Sequence, residues 1–300
     1  MPAKAEIDVS RGYELLDFGE GRKLERFGDF TTDRPSPAAE GSRRRRPNLW
    51  ERAHFRFLKT RGETGEWKAS RGGLPTEWTM RWAELTFRIR PNPSGNVGLF
   101  PEAATVWRAL RPLRIEPEPP LRMLNLFAYT GGATLAAAAA GAHVVHVDSS
   151  AASVSVAREN ASLSGLAEAP IRWIVEDARK FVQREVRREQ SYDLVLLDPP
   201  TWGHGPKGQA WRFEEDLDGL LDDAAALVRA AAGRIVLTGH APGWDAERAR
   251  RHLLERTKVV GATAHELSIA AADGRTLPAG WIAVASFAEQ GRFSSERDDA

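Results

Sequence analysis

The stretch that most limits what this chain can fold into is residues 121–148, LRMLNLFAYTGGATLAAAAAGAHVVHVD. An apolar run (Leu121, Met123, Leu124, Leu126) reaches a tight turn at Thr130, Gly131 and Gly132, where backbone can approach a ligand closely. An alanine-rich segment of helical character follows and stops at Gly141. A second apolar run, residues 144–147, then delivers Asp148 at a strand end, where a carboxylate can grip a ribose diol. Strand, turn, helix, strand and terminal acid is the layout of a nucleotide-type ligand site in an α/β sheet.

A third buried-type strand lies at residues 193–198, DLVLLD, and ends in Asp198, Pro199, Pro200, Thr201 and Trp202. Two successive prolines make a rigid extended exit and remove two N–H donors, so carbonyls face outward. The dinucleotide pattern G-x-G-x-x-G is absent, because the turn reads Ala128, Tyr129, Thr130, Gly131, Gly132. From these residues alone, a plain Gly-Gly turn and a stiff strand exit without chemistry stay open.

The motifs in order resemble the class I S-adenosylmethionine-dependent methyltransferases, and within them the group that modifies bacterial 23S ribosomal RNA. The residues that carry the resemblance are NLFAYTGG (125–132), VDSS (147–150), ARENASLSGL (157–166), EDARKFV (176–182) and DLVLLDPPTWG (193–203). GNVGLFPE (95–102) resembles the segment preceding that group's catalytic domain, and the likeness spans about residues 95–290. Asn125 stands where the general methyltransferase signature has an acid and more glycines, which limits how far generic glycine-loop contacts transfer.

The resemblance implies S-adenosyl-L-methionine as cofactor, with its methionine part held by Asn125, Phe127, Ala128, Tyr129, Thr130, Gly131 and Gly132. It implies that Asp148, with Ser149, receives the ribose hydroxyls, and that Asp177, with Ala178, meets the adenine amino group. Asp198 and the Pro199 carbonyl would face the methyl and its acceptor, with Trp202 or Phe213 stacking the base. The implied fold is α/β: a seven-stranded Rossmann-like methyltransferase sheet closing in an antiparallel hairpin, plus a smaller β-rich amino-terminal module. Asp177 has an ordinary alternative, as an acid at a helix start.

Three hundred residues suffice for one large core and a smaller module. The spacing of elements predicts a β-rich module over 8–111, a candidate RNA-binding part, an α/β domain over 112–290 that the resemblance makes the methyltransferase domain, and a polar tail over 291–300. Within the module, residues 8–34 read as a hairpin about Gly19-Glu20-Gly21, residues 35–47 as a loop, and LTFRIR (85–90) as a strand by its alternation. Beyond it, strands at 121–126, 144–147, 171–175, 194–197 and 235–238 alternate with helices at 132–140, 151–163, 178–188, 214–231 and 245–256, in doubly wound style. The last pair of strands is expected at 259–267 and 281–287.

No run is long and apolar enough to cross a bilayer, and the polar start, residues 1–11, is unlike a signal peptide, so a cytoplasmic setting is expected. The chain has no cysteine, which excludes disulfides and thiolate metal sites and removes the usual nucleophile for methylating pyrimidine carbon 5. No His, Asp or Glu spacing resembles a metal site. Lys and Arg number 42 against 41 Asp and Glu, which argues against a general nucleic-acid coat. Between residues 41 and 71, however, ten basic residues face three acids, including Arg43, Arg44, Arg45 and Arg46. Such a segment suits a phosphate-rich partner, with Trp50, Phe55, Phe57 and Trp67 as stacking or core residues, and a solvated loop as the plain alternative.

RNA, with 23S ribosomal RNA first, is therefore the expected partner, and a base nitrogen, with guanine N7 first, the expected acceptor. A small-molecule or protein methyltransferase, and a non-catalytic RNA-binding or assembly factor, remain as alternatives. The glycine-rich loop 204–209 reads as a substrate cover, with His204 either a general base or an exposed polar residue.

Overall fold

The computed structural model describes residues 12–61, 64–110, 119–205, 208–229, 233–257, 259 and 261–287. Residues 1–11, most of the proline-rich bridge at 112–120 and the tail after Gln290 lie outside them.

The amino-terminal part builds a five-stranded sheet from β1 (Tyr13–Gly19), β2 (Arg22–Phe27), β3 (Phe30–Pro35), β4 (Phe55–Arg61) and β5 (Thr64–Ala69), in that order. The predicted hairpin is its first pair. Residues 35–47 are more than a linker: Asp17, fully buried on β1, accepts the backbone N–H groups of Arg45 and Arg46 and the Trp50 indole N–H (2.8 Å). Trp50 sits in the short helix α1 (Pro47–Glu51). A separate hairpin joins β6 (Trp78–Trp82) to β7 (Leu85–Ile89), and helix α2 (Ala104–Leu110) follows. Trp50, Phe55 and Phe57 are buried, so these aromatics are core and not base platforms.

The second part alternates β8 (Arg122–Leu126), α3 (Gly132–Ala139), β9 (His143–Asp148), α4 (Ala151–Leu163), β10 (Ile171–Val175), α5 (Ala178–Arg187) and β11 (Leu194–Leu197). A ribbon of β12 (Trp202–His204) and β13 (Ala210–Arg212) comes next, then α6 (Phe213–Ala226), β14 (Arg234–Gly239), α7 (Ala246–Thr257), β15 (Gly261–Ala270) and β16 (Thr276–Ser286). The seven-stranded sheet runs β10-β9-β8-β11-β14-β16-β15, and only β16 opposes its neighbours. The closing hairpin is longer than the sequence predicts, because Pro278 and Gly280 interrupt the pattern inside β16.

Period-two alternation sends successive side chains to opposite faces, and both faces are covered, as a parallel sheet requires. Leu124, Val195 and Ile235 pack with Phe181, Leu217 and Leu253 of α5, α6 and α7. Met123, Leu194 and Val236 share the other core with Trp107, Leu135 and Phe87, and that core continues into Leu15 and Phe27 of the five-stranded sheet. Arg275, at the tip of the β15–β16 hairpin, pairs with Asp17 (2.5 Å), so the two sheets are held by charge as well as apolar packing.

Candidate functional site

Chain order changes direction beside β8: β9 and β10 extend the sheet to one side, β11 and β14 to the other. Ligand crevices in such sheets form at this switch point, at the carboxyl ends of the strands. The turn 127–132, Asp177 and Asp198 follow β8, β10 and β11, and Asp148 is the last residue of β9, so the fold gathers them on one edge.

The turn after β8 is shaped by left-handed backbone at alternate positions, Phe127 (φ 55°), Tyr129 (φ 48°) and Gly131 (φ 92°). Two of these are not glycine, a strained arrangement that clusters at functional sites and costs about 1–3 kcal/mol per residue. Compensation comes from neighbours. Asp148 Oδ2 accepts the Tyr129 N–H and its Oδ1 the Ser150 N–H, both at 2.8 Å. Thr130 donates its hydroxyl to the Gly98 carbonyl (2.7 Å), and Asn160 donates to the Thr130 carbonyl (2.9 Å). Gly132 is fixed by packing: a Cβ there would lie 2.3 Å from the Trp107 ring.

Beneath the turn, buried Asn125 donates to the Thr134 hydroxyl (2.9 Å), which lies 2.9 Å from His146 Nδ1. Burial first, then the nearby Arg158 charge, push His146 down to about 3, so its ring is neutral at ordinary pH. The Thr134 hydroxyl, receiving one hydrogen from Asn125, has its own hydrogen for Nδ1. Asn125 thus takes part in a neutral chain that an acid at that position would disturb.

Two adjoining cavities meet at Phe127. The first, about 390 Å³ to its open mouth, is lined by Val147, Asp148, Ser149, Asp177 and Ala178 on the sheet side and by Pro200, Gly203, Gly205 and Trp211 on the other. The second, about 480 Å³, is lined by Asn125, Ala128, Tyr129, Thr130, Gly132, Asp198 and Thr238, and walled by Leu99, Phe100, Val106 and Trp107. Of the residues singled out from sequence, Gly131 and Pro199 line neither cavity, and Trp202 stands 60% exposed on the ribbon. Phe213 is not available to a base: it is 1% exposed, in the core against Trp244 and Trp281. The side chain of His204 lies outside the described residues, and among these no group of acids and histidines could hold a metal.

The carboxylates differ in their partners. Asp177 caps α5 through the Lys180 N–H (3.2 Å) and pairs with Arg179 (3.1 Å). Asp148 is raised from the ordinary aspartate range by burial, which its two backbone donors only partly offset. Asp198 is raised too, first by burial, against the Thr238 hydroxyl bonded to Oδ1 at 2.6 Å. The residue is exposed at the cavity, yet the protein packed around it still raises its carboxyl. No Lys or Arg pairs with it among the described residues.

Sequence reading missed the wall made by residues 99–107 and the ribbon residue Trp211, whose ring packs 4.9 Å from Phe127 and whose N–H bonds the Pro200 carbonyl (2.7 Å). GNVGLFPE was the available signal for the wall. Three-residue strands carry no readable period, so nothing marked the ribbon.

A doubly wound sheet with acids at successive strand ends and a strained turn between them defines a nucleotide-binding α/β protein. The family described as S-adenosylmethionine-dependent methyltransferase matches residues 55–221, more than half of the chain, and this chain belongs to it. A solved SAM-dependent methyltransferase from Agrobacterium tumefaciens is 35% identical, with 96% of this chain and 94% of that one covered and a TM-score of 0.89. Another structure, complexed with SAH, shares 16% identity over 93% of this chain and 76% of its own, with a TM-score of 0.73, and shows the common fold. Ribosomal RNA large subunit methyltransferase I of Aeromonas salmonicida is 35% identical over 121 residues, 39% of this chain and 29% of that protein. Methyltransferase K/L of Shewanella frigidimarina is 35% identical over 105 residues, 33% of this chain. The chain spans only 14% of that second relative. The cofactor is S-adenosylmethionine, and the paired cavities fit it: strand-end acids for hydroxyl and amine donors, and apolar Phe127, Val147 and Ala178 for a flat ring.

Proposed function

We propose that this methyltransferase modifies a base nitrogen in RNA, with guanine in large-subunit ribosomal RNA first among acceptors. The observation that carries this reading is Asp198, a carboxylate facing the cavity from a Pro-Pro exit with a neutral hydroxyl and, among the described residues, no Lys or Arg bonded to it. Asp148 and Ser149 would take the ribose, Asp177 and Ala178 the adenine edge, and Asn125 with residues 127–132 the methionine end. Bound there, the cofactor supplies a methyl group on a sulfonium, open to in-line attack.

The chain's own residues then have to position an acceptor lone pair, which is most of what such a displacement needs. Asp198 and the Pro199 carbonyl can accept the hydrogens of an exocyclic amine and localise its lone pair. For a ring nitrogen, Asp198 offsets the positive charge that develops on the base. Trp202, exposed beside this exit, offers a stacking face for a base drawn out of its helix. The similarity to ribosomal RNA methyltransferases supports RNA over a small molecule or a protein.

Mass spectrometry of ribosomal nucleosides from cells with and without the gene tests this. One N-methylated nucleoside should vanish and return only with the intact gene; an unchanged profile rejects the substrate. Because the chain has no thiol to attack carbon 6, RNA carrying 5-fluoropyrimidines should trap no covalent adduct. An adduct, or a carbon-5-methylated product, overturns direct attack.

A further inference from the structure

One side chain joins the acid of the first cavity to the ribbon that walls it. Arg179, near the start of α5, donates Nη2 and Nε to Asp177 (3.1 and 3.4 Å), Nη2 to the Ala210 carbonyl (2.9 Å) and Nη1 to Asp216 (2.5 Å). Its guanidinium carbon lies 5.7 Å from the centre of the Trp211 ring. Trp211 in turn bonds the Pro200 carbonyl and packs on Phe127. The ribbon backbone also approaches Asp177 directly, since a Cβ at Gly205 would sit 3.1 Å from Oδ2.

We propose that Arg179 is a positioning residue: it couples filling of the Asp177 cavity to the placing of the ribbon that carries Trp202. This rests on reading that cavity as the cofactor's adenosine end. The physical reason is the fork shape of guanidinium, which holds several acceptors at fixed angles where a point charge cannot. A ligand between Asp177 and Gly203, Gly205 and Trp211 gains contacts on both walls only while the ribbon is in place. Ligand and ordered ribbon therefore favour each other, and by linkage the acceptor that meets Trp202 is favoured by the same amount.

Hydrogen exchange on the full chain, with S-adenosylhomocysteine as the probe, tests the coupling. In the unaltered protein, saturating ligand should slow exchange in the ribbon amides of 202–204 and 210–212 about tenfold, within the usual range for coupled sites. In Arg179→Ala the ligand should still bind and still protect the turn around Asp148, while slowing at the ribbon falls below about twofold. A pin that is only structural raises ribbon exchange equally with and without ligand. An unchanged ligand-induced ratio therefore overturns the proposal. Should Arg179→Ala fail to fold, Arg179→Lys carries the same test, because an ammonium cannot span all three acceptors. Asp177→Asn separates the two readings: if it binds the probe normally, the cavity assignment itself is wrong and the coupling falls with it. If it binds weakly while Arg179→Ala keeps the full ratio, only the coupling is wrong.

Discussion

Glu25 in the five-stranded sheet is fully buried, whereas Asp198 at the end of β11 is exposed to the cavity, and their partners are opposite too. Burial alone would raise Glu25, but Arg34 (2.6 Å) and Lys23 (3.2 Å), with the Tyr13 hydroxyl (2.8 Å), overcome it and hold it at about 2. Asp198 has the Thr238 hydroxyl and the more distant His240 charge, with no bonded Lys or Arg among the described residues, and stays raised. The first acid is fully answered inside the fold, so its role is structural. The second is left with electrostatic demand unmet, which is the condition expected where a substrate is to supply the answer.

The largest effect is expected where compensation is removed. Glu25→Gln leaves Arg34 and Lys23 buried without their carboxylate and should cost about 3–5 kcal/mol of unfolding free energy. Denaturant titration checks it, and a change within ~0.5 kcal/mol would show that the cluster is indifferent. Asp148→Ala removes charge-assisted hydrogen bonds and should weaken S-adenosylhomocysteine binding by about 1.5–3 kcal/mol by calorimetry. An unchanged dissociation constant in the folded variant removes Asp148 from the cofactor site.

Acid should act through His146 before it reaches Glu25. The folded pKa of His146 is about 3 and its unfolded value is near 6.5. The unfolded chain therefore takes up the proton first, and stability falls from about pH 6.5 downward by ~1.4 kcal/mol per pH unit. Glu25 adds its own loss only between about 4.5 and about 2, where its depressed folded pKa ends. Denaturation at pH 7 and pH 5 should differ by about 2 kcal/mol, and His146→Gln should flatten that slope. Equal slopes for both proteins contradict a buried neutral ring.

The smallest effect belongs to the basic loop. Arg44 stacks on Trp50 (4.0 Å) and Arg46 bonds the Ala272 carbonyl (3.1 Å), while Arg43 and Arg45 are exposed. Arg43→Gln with Arg45→Gln should lower the salt slope of RNA binding by about 1.4 if both meet single-stranded phosphates. Cofactor affinity should not change. Identical slopes assign the two side chains to solvent.

The strand-end acids were legible in sequence because an uninterrupted apolar run ending in Asp, Gly or Pro has few meanings. That logic located Asp148 and Asp198, whereas Asp177 and the order of the strands rested on the family resemblance. It failed where contacts are long-range. Nothing local in the sequence marks Glu25, Lys23 and Arg34 as a cluster, because only the pairing of β2 with β3 brings them together in the interior. Phe213 read as a base platform because its distance along the chain from Asp198 was visible and its packing against Trp244 and Trp281 was not. Residues 99–107 read as part of the amino-terminal module, yet α2 lies against α3 and Trp107 fills the space beside Gly132.

Asp198→Asn tests the comparison most directly, with melting temperature and methyl transfer to ribosomal RNA measured on the same sample. An acid whose pKa is raised by folding favours the folded state only at low pH and opposes it once ionised. Neutralising Asp198 should therefore raise the melting temperature at pH 7, leave cofactor affinity close to unchanged and cut turnover about 100-fold or more. A variant that melts lower and turns over normally would place Asp198 with Glu25, as a structural acid, and contradict the account.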